Sequence, residues 1–180
     1  MSDPAPNLAV ALVGNPNTGK STLFNALTGL RQRVGNYPGV TVARKSGLCD
    51  LGDGRKVELV DLPGLYSLAA ASPDEQVVTD ALAGKIAGER VPDVIVLVAD
   101  ATNLLRNLFL ASQLAELGRP AVLVLNQADV AREQGLRIDT AQLSARLGGI
   151  PVVLASAWKG EGVADVRRAI ARAADERRLL

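Results

Sequence analysis

The sequence predicts an α/β protein with a six-stranded, mostly parallel sheet, one antiparallel strand at its edge, and helices on both faces. Three observations carry this. First, short apolar runs alternate with amphipathic stretches of helical period, the pattern of parallel strands joined by crossover helices. Second, two strand-like runs, 42–51 and 55–60, are separated only by Gly52-Asp53-Gly54, a turn that makes them a hairpin and sets one strand against the rest. Third, Gly14-Asn15-Pro16-Asn17-Thr18-Gly19-Lys20-Ser21 stands between the first strand and the first helix and fits the spacing G-x-x-x-x-G-K-[ST].

Composition sets the bounds. The chain has 180 residues, 48% of them hydrophobic and 22% charged, which suits one globular domain over 8–180 behind a flexible lead-in of 1–7. A net charge of +1 gives no electrostatic case for nucleic acid or an anionic membrane surface. The longest apolar runs, such as Val94 to Ala99 and Ala121 to Leu125, are too short to span a bilayer. Met1-Ser2-Asp3-Pro4-Ala5-Pro6 lacks the basic-then-apolar order of a secretory signal. There is no histidine, hence no imidazole base. The one cysteine, Cys49, reads as a small apolar strand residue, cannot form an intramolecular disulfide, and suits a reducing cytosol.

The elements follow in order. Leu8 to Val13 reads as a buried strand, and Leu23 to Leu27 as helix, stopped at Thr28-Gly29-Leu30. Arg31 to Thr41 shows neither period, and Gly35, Pro38 and Gly39 mark it as a long loop, a class often functional. The hairpin ends at Asp61-Leu62-Pro63-Gly64, and a second irregular stretch, Leu65 to Ser72, follows. Ser72-Pro73-Asp74-Glu75 combines an N-cap, a first-turn proline and acidic first-turn residues, opening a helix to about Ile86. Then come a strand at 94–99, a helix at 102–117, a strand at 121–125, helical pieces at 130–134 and 140–147, a strand at 152–155 and a helix at 163–178.

The chemistry starts at the glycine-rich loop. Backbone N–H groups that wrap a polyphosphate need close approach, which Gly14 and Gly19 permit. The helix that opens near Lys20 aims its free N–H groups and positive dipole end at the same place. Lys20 is assigned to the β- and γ-phosphate oxygens and the Ser21 hydroxyl to Mg²⁺. Thr22 and the loop residues Asn15, Pro16, Asn17 and Thr18 complete the contact set. Asp61, at a strand end, faces Mg²⁺, and Gly64 offers its N–H to the γ-phosphate. Thr41 is a second Mg²⁺ ligand that engages only when the long loop is held, with Gly39 and Val40 beside it.

A base-reading cluster follows an apolar strand at Asn126-Gln127-Ala128-Asp129. A carboxylate there accepts two hydrogen bonds from the ring N–H and exocyclic amine of guanine, a donor pair adenine lacks. Ser156-Ala157 ends the last strand, where the Ala157 N–H meets the guanine carbonyl. Trp158 is placed with the nucleotide contacts, either near the base or covering the core edge.

On these residues the chain resembles the TRAFAC-class small GTPases, and within them the G domain of the ferrous iron transport protein B family. The general features are Gly14 to Ser21, Asp61 to Gly64, Asn126 to Asp129 and Ser156-Ala157. The more specific ones are Val34 to Val42, Asp61 to Leu68, and Asp100 to Leu108. The resemblance covers Leu8 to about Arg172. It implies a three-layer phosphate-loop fold of the Ras-like kind that binds GTP and GDP with Mg²⁺. It also implies a cytoplasmic position at the bacterial inner membrane, in an Fe²⁺ transporter whose helical regulatory and membrane domains lie beyond this soluble segment. Tyr37 stands where the family usually has Trp, Ala43 where Glu is common, and Gln127 where Asn-Lys-x-Asp would have Lys.

Ras-like enzymes orient the attacking water with a Gln after Asp-x-x-Gly, and here that position is Leu65. The resemblance implies a potassium ion as the alternative charge source, held by the Asn17 carbonyl oxygen and by backbone carbonyls near Gly35 and Asn36. Two rival readings remain: a nucleotide-sensing switch with negligible turnover, and a soluble assembly GTPase acting on ribosomes or RNA. The oligomeric state is left open.

Overall fold

The computed structural model describes residues 8–176. In chain order the elements are β1 (Ala9–Gly14), α1 (Lys20–Thr28), β2 (Gln32–Asn36), β3 (Ala43–Asp50), β4 (Lys56–Asp61), α2 (Pro73–Ala83) and β5 (Val94–Asp100). They continue with α3 (Leu104–Glu116), β6 (Ala121–Asn126), α4 (Ala128–Glu133), α5 (Thr140–Arg146), β7 (Val152–Leu154) and α6 (Val163–Glu176). The lead-in 1–7 and the last two positions of the expected final helix lie outside the described residues.

One sheet runs β2-β3-β4-β1-β5-β6-β7. β4, β1, β5, β6 and β7 are mutually parallel, and β3 runs against both of its neighbours. The α/β class holds, but the sheet has seven strands where the sequence suggests six, and the antiparallel strand is not the edge. β2 lies outside it, pairing from Gln32↔Gly47 to Asn36↔Ala43. All five β2 residues are exposed, so no buried face writes a period into the sequence. The pairing is closed by a turn in which Tyr37 N donates to Val42 O at 3.0 Å.

The core divides by sheet face. In β1, Val10 and Leu12 join Leu23, Phe24 and Leu27 of α1 and Val166 and Ile170 of α6 on one face. Ala11 and Val13 join Val78 and Leu82 of α2 and Leu110 and Leu114 of α3 on the other. That is the alternation of a strand covered on both sides, and each fully buried Leu or Phe is worth about 1.5–3 kcal/mol of transfer. Cys49 lies in the first cluster, where burial raises its thiol from 9.0 to about 11. The α2 cap forms as the sequence suggests: Ser72 Oγ accepts from Glu75 N at 3.2 Å, and Glu75 Oε2 accepts from Ala71 N at 2.8 Å. The helix ends at Gly84, with φ +70°, before Ile86 is reached.

Candidate nucleotide site

The site forms where β1, β4, β5 and β6 end. β1 turns at Gly14, where a Cβ would stand 2.4 Å from Val98 O of β5, so a side chain is excluded by backbone. The loop then folds on itself. Thr18 Oγ1 donates to Asn15 O at 3.0 Å, and buried Asn15 donates through Nδ2 to Arg106 O of α3 at 3.2 Å. Asn17 and Gly19 take positive φ of 64° and 78°. Asn is one of the few non-glycine residues that adopts this region readily. Gly19 caps α1 with no side-chain acceptor, so the first-turn N–H groups are left for an anion.

A cleft of about 360 Å³ is lined by Asn15, Pro16, Asn17, Gly19, Lys20, Ser21, Thr22 and Gly64. The Lys20 ammonium pairs with the Asp61 carboxylate, and Ser21 Oγ donates to Asp61 Oδ2 at 3.5 Å. Asp61 is buried at the end of β4. A cation, a hydroxyl and a carboxylate therefore converge. The segment after Asp61 is laid on the loop: Leu62 N donates to Leu12 O and Leu65 N to Gly14 O, both at 3.1 Å. A Cβ on Gly64 would meet Pro16 at 3.0 Å. The Leu65 side chain is fully buried in the second core cluster, so this position sends no group toward the cleft.

At the far end, Asn126 acts as a bracket. Its Nδ2 donates to Thr18 O at 2.9 Å and its Oδ1 accepts from Ala157 N at 3.0 Å. Asn126 thus ties the phosphate loop to the Ser156-Ala157 turn, and the Ala157 N–H expected to face a base is used within the protein. Gln127 adopts φ +60° at the start of α4. Asp129 Oδ2 lies 3.0 Å from Lys159 Nζ. The Lys159 ammonium, helped by the Ser156 hydroxyl, holds that carboxyl below its usual range, and Asp129 in turn raises the lysine.

The model of the ferrous iron transport protein B family matches residues 8–170 of this chain. The chain belongs to the FeoB family. The Fe(2+) transporter FeoB of Escherichia coli (strain K12) is 47% identical over 169 residues, which are 92% of this chain and 21% of that protein. Its counterpart in Salmonella typhimurium is 48% identical over the same length and shares. The chain thus spans about a fifth of the transporters it matches. Among solved structures, the cytosolic domain of Thermotoga maritima FeoB in its GMPPNP form is 40% identical, with a TM-score of 0.86, over 93% of this chain and 64% of that one. A point mutant of S. thermophilus NFeoB bound to GDP is 47% identical, with a TM-score of 0.83, over 92% of this chain and 62% of that one.

Within this FeoB fold the sequence-assigned residues split into two groups. Gly14 to Thr22, Asp61, Gly64, Asn126, Asp129, Ser156 and Ala157 are gathered at neighbouring strand ends. The long loop is not drawn in. Gly35 and Asn36 belong to β2, and Gly39, Val40 and Thr41 form an exposed turn, none of them lining the cleft. Only Tyr37 is anchored there, buried among Val42, Leu62 and Leu65 with its hydroxyl unpartnered. Trp158 is 88% exposed, so it does not cover the core edge. Two participants escaped the sequence reading. Lys159 follows Trp158 directly, and its only signal is a cation near a cluster that lacks one at Gln127. Arg106 carries its guanidinium 4.7 Å over the Tyr66 ring, joining α3 to the segment after Gly64.

Proposed function

We propose that this chain binds GTP with Mg²⁺ and hydrolyses it to GDP and phosphate. In the full-length protein that cycle, run at the cytoplasmic face of the cell membrane, drives or gates uptake of the substrate ion Fe²⁺. The carrying observation is the convergence of Lys20, Ser21 and Asp61 beside a cleft walled by the phosphate loop. Incoming β- and γ-phosphate oxygens replace Asp61 as the partner of Lys20, and the open first turn of α1 binds the remaining charge. Asp129, kept ionised by Lys159, accepts the N1–H and exocyclic amine of guanine. The guanine-nucleotide forms of the T. maritima and S. thermophilus relatives support this choice of base.

The donor set fits Mg²⁺. Ser21 and Asp61 offer hard oxygens, and among the described residues no group of three or more His, Cys, Asp or Glu side chains could cage a metal. Such a site leaves most of the shell to phosphate and water, as Mg²⁺ prefers. When bound, Mg²⁺ neutralises developing charge on the phosphates. Asn17 lines the same cleft and fits a potassium ion there through its carbonyl oxygen, and Thr41, Gly35 and Asn36 join only if the exposed loop moves inward. The partners in this reading are the helical and membrane domains that make up the rest of the transporter. No helix among the described residues is long and apolar enough to cross a membrane.

The burial of Leu65 favours one second reading, a switch whose slow turnover merely resets it. Hydrolysis of GTP in potassium and in sodium at equal ionic strength, with ATP as control, separates the two. The proposal expects a gain in potassium that is confined to GTP and lost in Asn17→Ala. Equal slow rates in both salts would leave the switch.

A further inference from the structure

We infer that Trp158 is the platform on which the nucleotide base stacks, supplying the apolar face that a lysine stem at position 127 would otherwise give. The inference rests on the base-reading role of Asp129 given above and adds a second, independent contact to it.

Ser156 N donates to Glu161 O at 2.9 Å, Glu161 N to Ser156 O at 3.1 Å, and Lys159 N to Ser156 O at 3.1 Å. The stretch 156–161 is thus a closed turn with a fixed backbone. Its two residues beside Trp158 each touch the base-reading cluster: Ala157 N lies on Asn126 Oδ1 and Lys159 Nζ on Asp129 Oδ2, both at 3.0 Å. Residue 158 is therefore held between the two anchors of that cluster. Its indole is 88% exposed, the most exposed aromatic ring among the described residues. A large apolar ring left in water on a rigid turn is poised to be covered.

Chemistry then selects what covers it. A carboxylate reads the edge of a base, in the plane of the ring. It contributes nothing to the faces, which are apolar and must also leave water. Gln127 starts α4 with a short polar side chain and offers no long aliphatic cover. Trp158 is the aromatic group on the adjacent turn, and base–aromatic stacking is strong and tolerant of base identity. Discrimination then comes from Asp129 and binding strength from Trp158. Lys159 stands in the guanine donors' seat on Asp129 and shifts aside as the base arrives.

Trp158 is the sole tryptophan of the chain, so its fluorescence reports on this position alone. The test titrates the chain with Mg-GDP and Mg-ADP, following Trp emission and, independently, calorimetric binding. Saturable quenching by GDP at the calorimetric midpoint is expected. Trp158→Ala should weaken GDP binding by about tenfold, Trp158→Phe should recover most of that loss, and Trp158→Leu should not. A circular-dichroism melt of each variant guards against loss of fold. Unchanged GDP affinity in Trp158→Ala overturns the platform, leaves the Asp129 reading standing, and recasts the indole as a protein-docking anchor. Equal binding of GDP and ADP, both lost in Trp158→Ala, supports the platform and sinks the guanine reading instead.

Discussion

The phosphate loop and the stretch 31–42 lie on either side of α1 and are built in opposite ways. The loop is fixed from every side: Val98 O behind Gly14, the Asn15–Thr18 bond within, Asn126 across from Thr18, and Gly64 laid on Pro16. The stretch 31–42 is an exposed strand and turn, with Tyr37 the one fully sunk side chain near its middle. Arg44 of β3 braces its base. Burial works against the Arg44 charge, but hydrogen bonds to Glu89 and Glu58 outweigh it and raise its pKa. The contrast teaches that the phosphate loop is packed from several sides, while the stretch 31–42 is held on one side only, by its ladder to β3 and by the buried Tyr37.

Glycine substitutions test this contrast most severely. Gly14→Ala drives a methyl into the Val98 carbonyl of a paired strand, and about 3 kcal/mol of stability should be lost, read as a fall in the urea midpoint. Gly39→Ala meets open space and carries only the cost of a φ of +76°, about 1 kcal/mol. Equal costs at the two positions would break the comparison.

Asn126→Ala should come next. It strips a partner from Thr18 O and Ala157 N together, and about 2 kcal/mol should go, along with nucleotide affinity. Calorimetric binding beside a thermal melt measures both. Loss of affinity with an unchanged melt would show Asn126 to be a ligand contact and not a bracket.

The smallest effect lies at the anchor. Tyr37→Phe removes a buried hydroxyl that has no partner, so stability should hold or rise by up to about 1 kcal/mol. Burial raises Tyr37 from 10.0 to about 12 and Cys49 from 9.0 to about 11. Both folded values lie above the ordinary ones. Their contributions are therefore intact below pH 9 and are lost as pH climbs toward 11 and 12. A melting series from about pH 8 to 12 should show that decline, with its upper part flattened in Tyr37→Phe. An identical alkaline decline in the variant would show that the Tyr37 ring is not held in the core.

The phosphate loop, Asp61 and the α2 cap were legible because each is a local spacing with one structural use. The covered strands were legible because burial on both faces leaves unbroken apolar runs. β2 was not, since five exposed residues carry no period and its ladder is set by β3. The bracket role of Asn126 and the pairing of Asp129 with Lys159 joined residues far apart in sequence, and no local pattern announces them. Leu65 told of a missing glutamine; that the leucine is turned into the core needed the packing around it.

β2 is both the rim of the sheet and the part of the chain expected to answer the nucleotide. Among the described residues no strand pairs with its outer edge, and Arg31 before the strand and Arg33 within it discourage a foreign strand from zipping on. Bringing Gly35 and Asn36 toward Asn17 means unzipping the ladder to β3, so sheet width and phosphate engagement trade against each other. The protein would then count its nucleotide state in strands, seven when the rim is zipped and six when it is spent on the phosphates, with β3 as the newly bared border.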